Sequence, residues 1–285
     1  KRNKKRRQNI IYQNIKQQVE ITSKRTEQQY IDIAQFDEFA LPNSSLLCPY
    51  KEANCLKHIF DNIDQIPALL HKSHLLIQRY LIFSTFTDFH TLTTPDIAEP
   101  LAPYQYLTMA VRLINCQQIL ISSQGEIETA MQNLYQLHSQ LRSQLAQQDN
   151  LIGKLILLSL LSENMDLISV LANTYQFKLT KTLPSFNKQE RSLENSLSRE
   201  VRMMYLLYLQ LDGAPDIFNQ EGELSSFVVP SWLTYILFKV NMTTNESYKP
   251  LFYYSMLSEF SVNEFGQEMR NQTLQPSIKN HWLRN

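Results

Sequence analysis

A chain of 285 residues with 27 basic and 27 acidic side chains has no formal net charge, so its body gives no electrostatic reason to expect a polyanionic partner. Only five glycines are present, which leaves little material for phosphate-binding loops or a hairpin-rich β fold, and GxGxxG, the P-loop and GxSxG are all absent. At this length a core large enough to need no disulfide staple is available, and the composition points to an all-α protein in one large domain or two.

The chain opens on "KRNKKRR", six basic residues in seven. Such a run suits a nucleic-acid arm, the inner flank of a membrane anchor, or the ragged start of a fragment. No stretch of eighteen apolar residues follows it, so the sequence predicts neither a signal sequence nor a spanning helix within the chain, and any anchor lies upstream. Ile11, Ile15 and Val19, then Tyr30 and Ile33, predict a leading helix over residues 8 to 33, and "LPNSS" reads as a connector.

"CPYKEANC" follows, with six residues between Cys48 and Cys55. In an unbroken helix, residues seven apart are separated by about 10.5 Å along the axis, whereas a disulfide requires Cα atoms within about 7 Å. A bridge therefore demands a turn, and Pro49 suits one. A zinc site fits poorly, because the spacing is too long and Cys116 stands far away in an apolar pattern. Geometry alone leaves a disulfide and two reduced thiols both open.

A helix is predicted from Asn54, as its cap, to about Ile66, with Pro67 kinking it or starting the next helix through "ALLHKSHLLIQRYLIF". His71 and His74 could share a helix face, but no ligand set completes a metal site around them, and no metal or cofactor is expected. Three prolines in "TTPDIAEPLAPYQ" predict a connector over 93 to 103 and a boundary between subdomains. Beyond it, "YQYLTMAVRLINCQQILIS" is apolar at helical spacing, "SQGE" turns the chain, and Ile127, Met131, Leu134, Leu141 and Leu145 form one stripe along a polar helix of about twenty residues. These two helices should pack antiparallel. "QQDNLIGKLILLSLLSENMDLISVLANTY" is expected to add a shorter pair, with Asp149 or Asn150 as cap and "SENM" as the turn between them.

In "ERSLENSLSREVRMMYLLYLQL" an apolar stripe runs through Leu193, Leu197, Val201, Met204 and Leu211, and spacing puts the Glu200 carboxylate on its buried side. A buried carboxylate of this kind is usually paired with an arginine or reaches water. The sharper reading is a general acid or base with a raised pKa, helped by Glu194 or Glu190 one or two turns away. Residues 227 to 265 then hold ten aromatics, more than twice the average density of the chain. Helical core accounts for many of them, but "PLFYYSMLSEF" is apolar around so much of its circumference that Tyr248, Phe252, Tyr253 and Tyr254 are candidates for a partner-binding surface.

"LLCPYKEANCLKHIFDNIDQIPALLHKSHLLIQRYLIF", "NLIGKLILLSLLSENMDLISVLANTY", "NKQERSLENSLSRE" and "LFKVNMTTNESYKPLF" together resemble a family of uncharacterised Gram-negative bacterial proteins, over about residues 40 to 285. Members of that family are helical, anchored in the inner membrane by an N-terminal segment and lie mainly in the periplasm. The resemblance implies a bridge between Cys48 and Cys55 formed in an oxidising compartment, no established activity, and a chain continuing past "NHWLRN". The basic leader opposes this placement, since by the positive-inside rule such a run stays in the cytoplasm, and a cytoplasmic protein with reduced cysteines is the alternative.

The resulting expectation is an array of antiparallel helical hairpins with proline-rich connectors: a leader and connector over 1–47, an N-terminal helical subdomain over 48–92 and a main helical domain over 104–285. The expected role is non-catalytic binding or scaffolding in the bacterial cell envelope, with an envelope protein as partner. The alternatives are a hydrolase acting on envelope polymers through carboxylates near Glu200, and a cytosolic protein that contacts nucleic acid through its basic arm.

Overall fold

A computed structural model describes residues 41–50, 52, 54–86, 89, 91, 95, 102–179, 182–213 and 240–271. The basic run, the leading helix expected over 8 to 33 and the aromatics between 227 and 238 lie outside the described residues. Among those described, the secondary structure is helical, with no strand. The chain divides into two compact units: residues 32–91 with 101–191, and residues 1–31 with 92–100 and 192–285.

In the described part of the first unit the earliest element is a 3₁₀ turn, Ser45–Leu47, whose opening amide at Leu46 donates to the Ser44 hydroxyl at 3.2 Å. The chain then reverses through the cysteine loop into α1, Cys55–Asp61. Asn54 precedes this helix in the left-handed region, at φ 70°, and its side chain makes no capping bond; its carbonyl instead accepts from the His58 amide at 2.8 Å. The helix predicted from Asn54 to Ile66 stops at Asp61, and a 3₁₀ turn, Ile63–Gln65, intervenes. Pro67 stands in the first turn of α2, Ile66–Lys72, where its missing N–H has no role to lose. Ser73 separates α2 from α3, His74–Phe83.

Next in the described chain come α4, Tyr104–Ser123, and α5, Ile127–Gln147. The link between them turns at Gly125, whose φ of 90° suits a residue without a Cβ. Met131, Leu134, Leu141 and Leu145 of the predicted stripe are buried, and α5 packs against α4 and α6. Asn150 caps α6, Leu151–Thr174, by accepting from the Gly153 amide at 3.1 Å, while the neighbouring Asp149 carboxylate holds the Thr91 amide and hydroxyl.

The turn expected at "SENM" does not form, and α6 runs unbroken through it. Glu163 and Asn164 face inward, where Glu163 accepts from Arg112 at 2.7 and 3.0 Å and Asn164 pairs with His138 at 3.1 Å. Polar residues that would end an isolated apolar helix are here satisfied by other helices. By length and apolarity α6 could cross a bilayer, but half of its most apolar window is packed inside this unit. A short helix, α7, Lys188–Arg191, closes the unit.

One core cluster joins Leu46, Cys55, Ile59 and Ile66 to Leu113, Cys116, Met131 and Leu167. The other joins Tyr80 to Val111, Leu141, Leu145, Leu157 and Leu160. Both draw on residues from either side of positions 93–103, so described residues of the 48–92 segment share a core with residues of 104–191.

In the second unit α8, Glu194–Gly213, packs against α9, Val240–Glu259, and α10, Val262–Asn271, follows. Leu197 and Leu257 are buried, the Leu193 amide donates to the Ser258 hydroxyl at 2.9 Å, and the Tyr208 and Ser247 hydroxyls meet at 3.0 Å.

Candidate functional site

The three carboxylates expected to supply acid or base chemistry have different surroundings. Glu190 is buried and wholly engaged: Arg142 donates from Nε to Oε1 at 2.7 Å and from Nη2 to Oε2 at 2.6 Å, and the Asn187 amide donates to Oε2 at 2.6 Å. Burial works to raise its pKa, but the hydrogen bonds from Arg142 and Asn187 and the guanidinium charge outweigh it and hold the carboxyl below its ordinary value. Glu190 is thus an ionised structural anchor. Glu194 is exposed at the start of α8, and Glu200 is half-buried on the same helix.

Of the candidate binding aromatics, Tyr248, Phe252 and Tyr254 are exposed and Tyr253 is half-buried. The Tyr248 and Phe252 rings, one helical turn apart on α9, lie 5.5 Å centre to centre. His71 and His74 fall at the end of α2 and the start of α3, both exposed, and no metal-holding cluster of His, Cys, Asp or Glu occurs among the described residues.

Cys48 and Cys55 are bonded through sulfur, with Cα atoms 5.9 Å apart. Cys116 is free and buried; burial pushes its thiol up to about 12, against a smaller opposing effect of the Arg112 charge. Arg112 also donates to the Leu47 carbonyl at 3.1 Å, so the segment before the cysteine loop is tied to α4 by the side chain that pairs with Glu163.

The first unit also has a concave feature. A cavity of about 330 Å³ is walled by Leu76, Arg79, Tyr80 and Phe83 of α3, by Phe89, by Ala102, Pro103 and the first turns of α4 at Tyr104, Tyr106, Leu107 and Ala110, and by Gln144, Gln148 and Leu157. Almost all of its exposed wall is apolar. Its size is at the lower end of the range for small-molecule sites. The Phe83 and Phe89 rings meet edge to face at 6.0 Å, and Tyr80 lies 6.4 Å from Phe83.

Polar side chains in the described wall are Arg79, Tyr80, Tyr104, Tyr106, Gln144 and Gln148, and three atoms of Tyr80 and Gln144 are unpaired. The Tyr80 hydroxyl and both amide atoms of Gln144 are buried without a hydrogen-bond partner. Tyr80 and Gln144 are neighbours, close enough for the amide to offset part of what burial does to the phenol, yet they do not meet in hydrogen-bonding geometry. Burial dominates and raises the Tyr80 pKa, so the phenol stays protonated and neutral near neutral pH. At the entrance to α6, Gly153 leaves room for two other wall residues. A Cβ there would lie 2.6 Å from Gln148 Nε2 and closer still to the Tyr104 hydroxyl.

The sequence did carry one signal for this wall: Gln144 and Gln148 stand one turn apart beside Leu141 and Leu145 on an otherwise apolar stripe. Comparison with family models, curated proteins and solved structures gives no match for the chain.

Proposed function

We propose that this is a non-catalytic binding protein that takes an apolar small molecule into the cavity between α3, α4, α5 and α6. The preformed cavity, with its almost wholly apolar wall and its few unpaired polar atoms, is the observation that carries this reading. Titration with an apolar fluorescent probe such as N-phenyl-1-naphthylamine tests it. Enhanced emission that disappears in a Leu157→Trp variant, whose indole fills the cavity, is the expected result; unchanged emission in that variant overturns it.

The proposed setting is the cell envelope, with the bulk of the chain in the periplasm and an inner-membrane anchor upstream. The Cys48–Cys55 bond suits an oxidising compartment, as does the resemblance to anchored periplasmic helical proteins of Gram-negative bacteria. The short connections after α4 and α5 likewise support an array of antiparallel helical hairpins. Fractionation of the native host, with the protein recovered in the cytosolic rather than the envelope fraction, would count against this setting.

A second reading is binding of an envelope protein through α9 and α10, where Tyr248, Phe252, Tyr254, Val262 and Phe265 are exposed apolar side chains. New hydrogen-exchange protection over residues 248 to 260 on adding envelope extract supports it; new protection only elsewhere argues against it. The hydrolase reading has less support, because Glu190 is committed to Arg142.

A further inference from the structure

We infer that the cavity selects an uncharged, ring-bearing molecule with one group that both donates and accepts a hydrogen bond, of the phenol, alcohol or primary amide class, held by Tyr80 and Gln144. This rests on the cavity being a binding site and adds the chemistry of what occupies it. The volume equals that of about eleven waters at roughly 30 Å³ each, which sets the ligand on the order of ten to fifteen non-hydrogen atoms.

The unpaired atoms carry the argument. Buried polar groups in folded proteins are nearly always satisfied, and each exception calls for an explanation. Here the Tyr80 hydroxyl, the Gln144 amide nitrogen and the Gln144 amide oxygen are unsatisfied together, on residues that line one cavity. Gln144 also lines a small adjoining void with Phe83, Phe89 and Gln147, and the Gln147 amide oxygen is unpaired as well. Rotation of the Gln144 amide about its last torsion, a soft one, offers either a donor or an acceptor to a ligand group. A hydroxyl or amide on the ligand matches both roles, whereas a hydrocarbon offers neither a donor nor an acceptor.

Charge is selected against by the same wall. Among the described residues no Asp or Glu lines the cavity, so an ammonium group entering it loses its water without gaining a counter-ion from this wall. Among the described wall residues Arg79 alone is fully charged, and it is exposed to solvent, so the described groups at the Tyr80 and Gln144 end offer a carboxylate no cation. The ring preference follows from Tyr80, Phe83, Phe89, Tyr104 and Tyr106, whose faces and edges suit an aromatic partner.

Isothermal titration of the full chain near neutral pH with four matched probes tests this: para-butylphenol, butylbenzene, para-butylbenzoate and para-butylbenzylamine. The expected order puts the phenol at least about tenfold tighter than the carboxylate and the amine. Tyr80→Phe and Gln144→Leu should each weaken the phenol about fivefold while leaving butylbenzene within about twofold. Should Tyr80→Phe fail to fold, Gln144→Leu, at a half-buried position, carries the comparison. A carboxylate bound as tightly as the phenol overturns the inference, as does a preference for phenol over butylbenzene that survives both substitutions. Binding of none of the four probes, butylbenzene included, instead removes the cavity as a binding site and the proposed function with it.

Discussion

Arg142 lays its guanidinium alongside the Glu190 carboxylate in a two-point contact, Nε to Oε1 at 2.7 Å and Nη2 to Oε2 at 2.6 Å. The same guanidinium donates to the Pro184 carbonyl at 2.6 Å and the Ser185 carbonyl at 2.9 Å, and stands 5.1 Å above the Phe186 ring. One side chain of α5 therefore fastens the segment that leads into α7.

Breaking this pair from one side should be costly. Arg142→Met leaves a buried carboxylate and two carbonyls without their donor, for an expected loss of about 3–5 kcal/mol in urea unfolding. The double variant Arg142→Met, Glu190→Leu should lose clearly less, because no uncompensated charge is then buried. Equal losses in the two variants would show that the carbonyl contacts, not the ion pair, carry the cost.

Acid should weaken the fold in two steps. His138 is buried, and burial lowers its pKa below 6.5, with the Arg142 charge acting in the same direction and the Asn164 hydrogen bond and Glu190 opposing. Asn164 donates its Nδ2 to the Leu134 carbonyl, so its Oδ1 faces His138 and the imidazole holds its proton on Nδ1. The unfolded chain binds a proton at His138 before the folded one does, so stability is fully present above about 6.5 and declines as the pH falls from there to the folded value. Glu190, depressed in the fold, adds a second decline that starts near its unfolded pKa of about 4.3 and continues as the pH falls through the folded value. His138→Gln should flatten the first step alone in urea midpoints measured against pH, and Glu190→Gln the second.

Thiol chemistry separates the three cysteines. Unfolded, unreduced protein should react with one equivalent of Ellman's reagent and unfolded, reduced protein with three. Folded, unreduced protein should react only slowly, since Cys116 is buried and its thiol is held protonated. By the chain-entropy relation, a closed loop of about eight residues predicts roughly 2.5 kcal/mol lost in Cys48→Ala, Cys55→Ala. Three thiols in unreduced material from the native host would remove both the bridge and the argument for an oxidising compartment.

Local patterns along the chain foretold local features. Period and punctuation located α4 and α5, the Gly125 turn and a cap at Asp149 or Asn150, because each depends on residues a few positions apart. They failed at "SENM", where the Glu163 partner, Arg112, lies 51 residues away and the Asn164 partner, His138, 26 away. Read alone, those polar side chains end a helix; with their partners they continue one. The cavity was hidden for the same reason. Tyr80, Tyr104, Gln144 and Leu157 come from four helices, and no spacing in one segment reveals a space that all four enclose.

Glu200 offers a direct test between structure and chemistry. At a half-buried position on α8, Glu200→Gln should change stability by no more than about 0.5 kcal/mol in thermal unfolding. Hydrolysis of cell-wall or glycan substrates by the parent, abolished in this variant with the fold intact, would reverse the order of the proposed functions.

Gly153→Ala should separate stability from binding. The position is helical and has no left-handed backbone requirement, so alanine favours the helix by about 1 kcal/mol. Its methyl group would, however, occupy the space taken by the Tyr104 hydroxyl and the buried Gln148 amide, and making room there has a cost. The gain in helix propensity and the cost of moving these groups roughly offset, so the melting temperature should shift by only a few degrees. Both displaced residues line the cavity, and the Gln148 carbonyl oxygen accepts from the Asn150 amide at the start of α6. Probe affinity should therefore fall several-fold while the fold persists. Circular dichroism melts read beside para-butylphenol titrations of parent and variant check both halves. An unchanged affinity would mean that Tyr104 and Gln148 stand outside the part of the cavity that a ligand occupies.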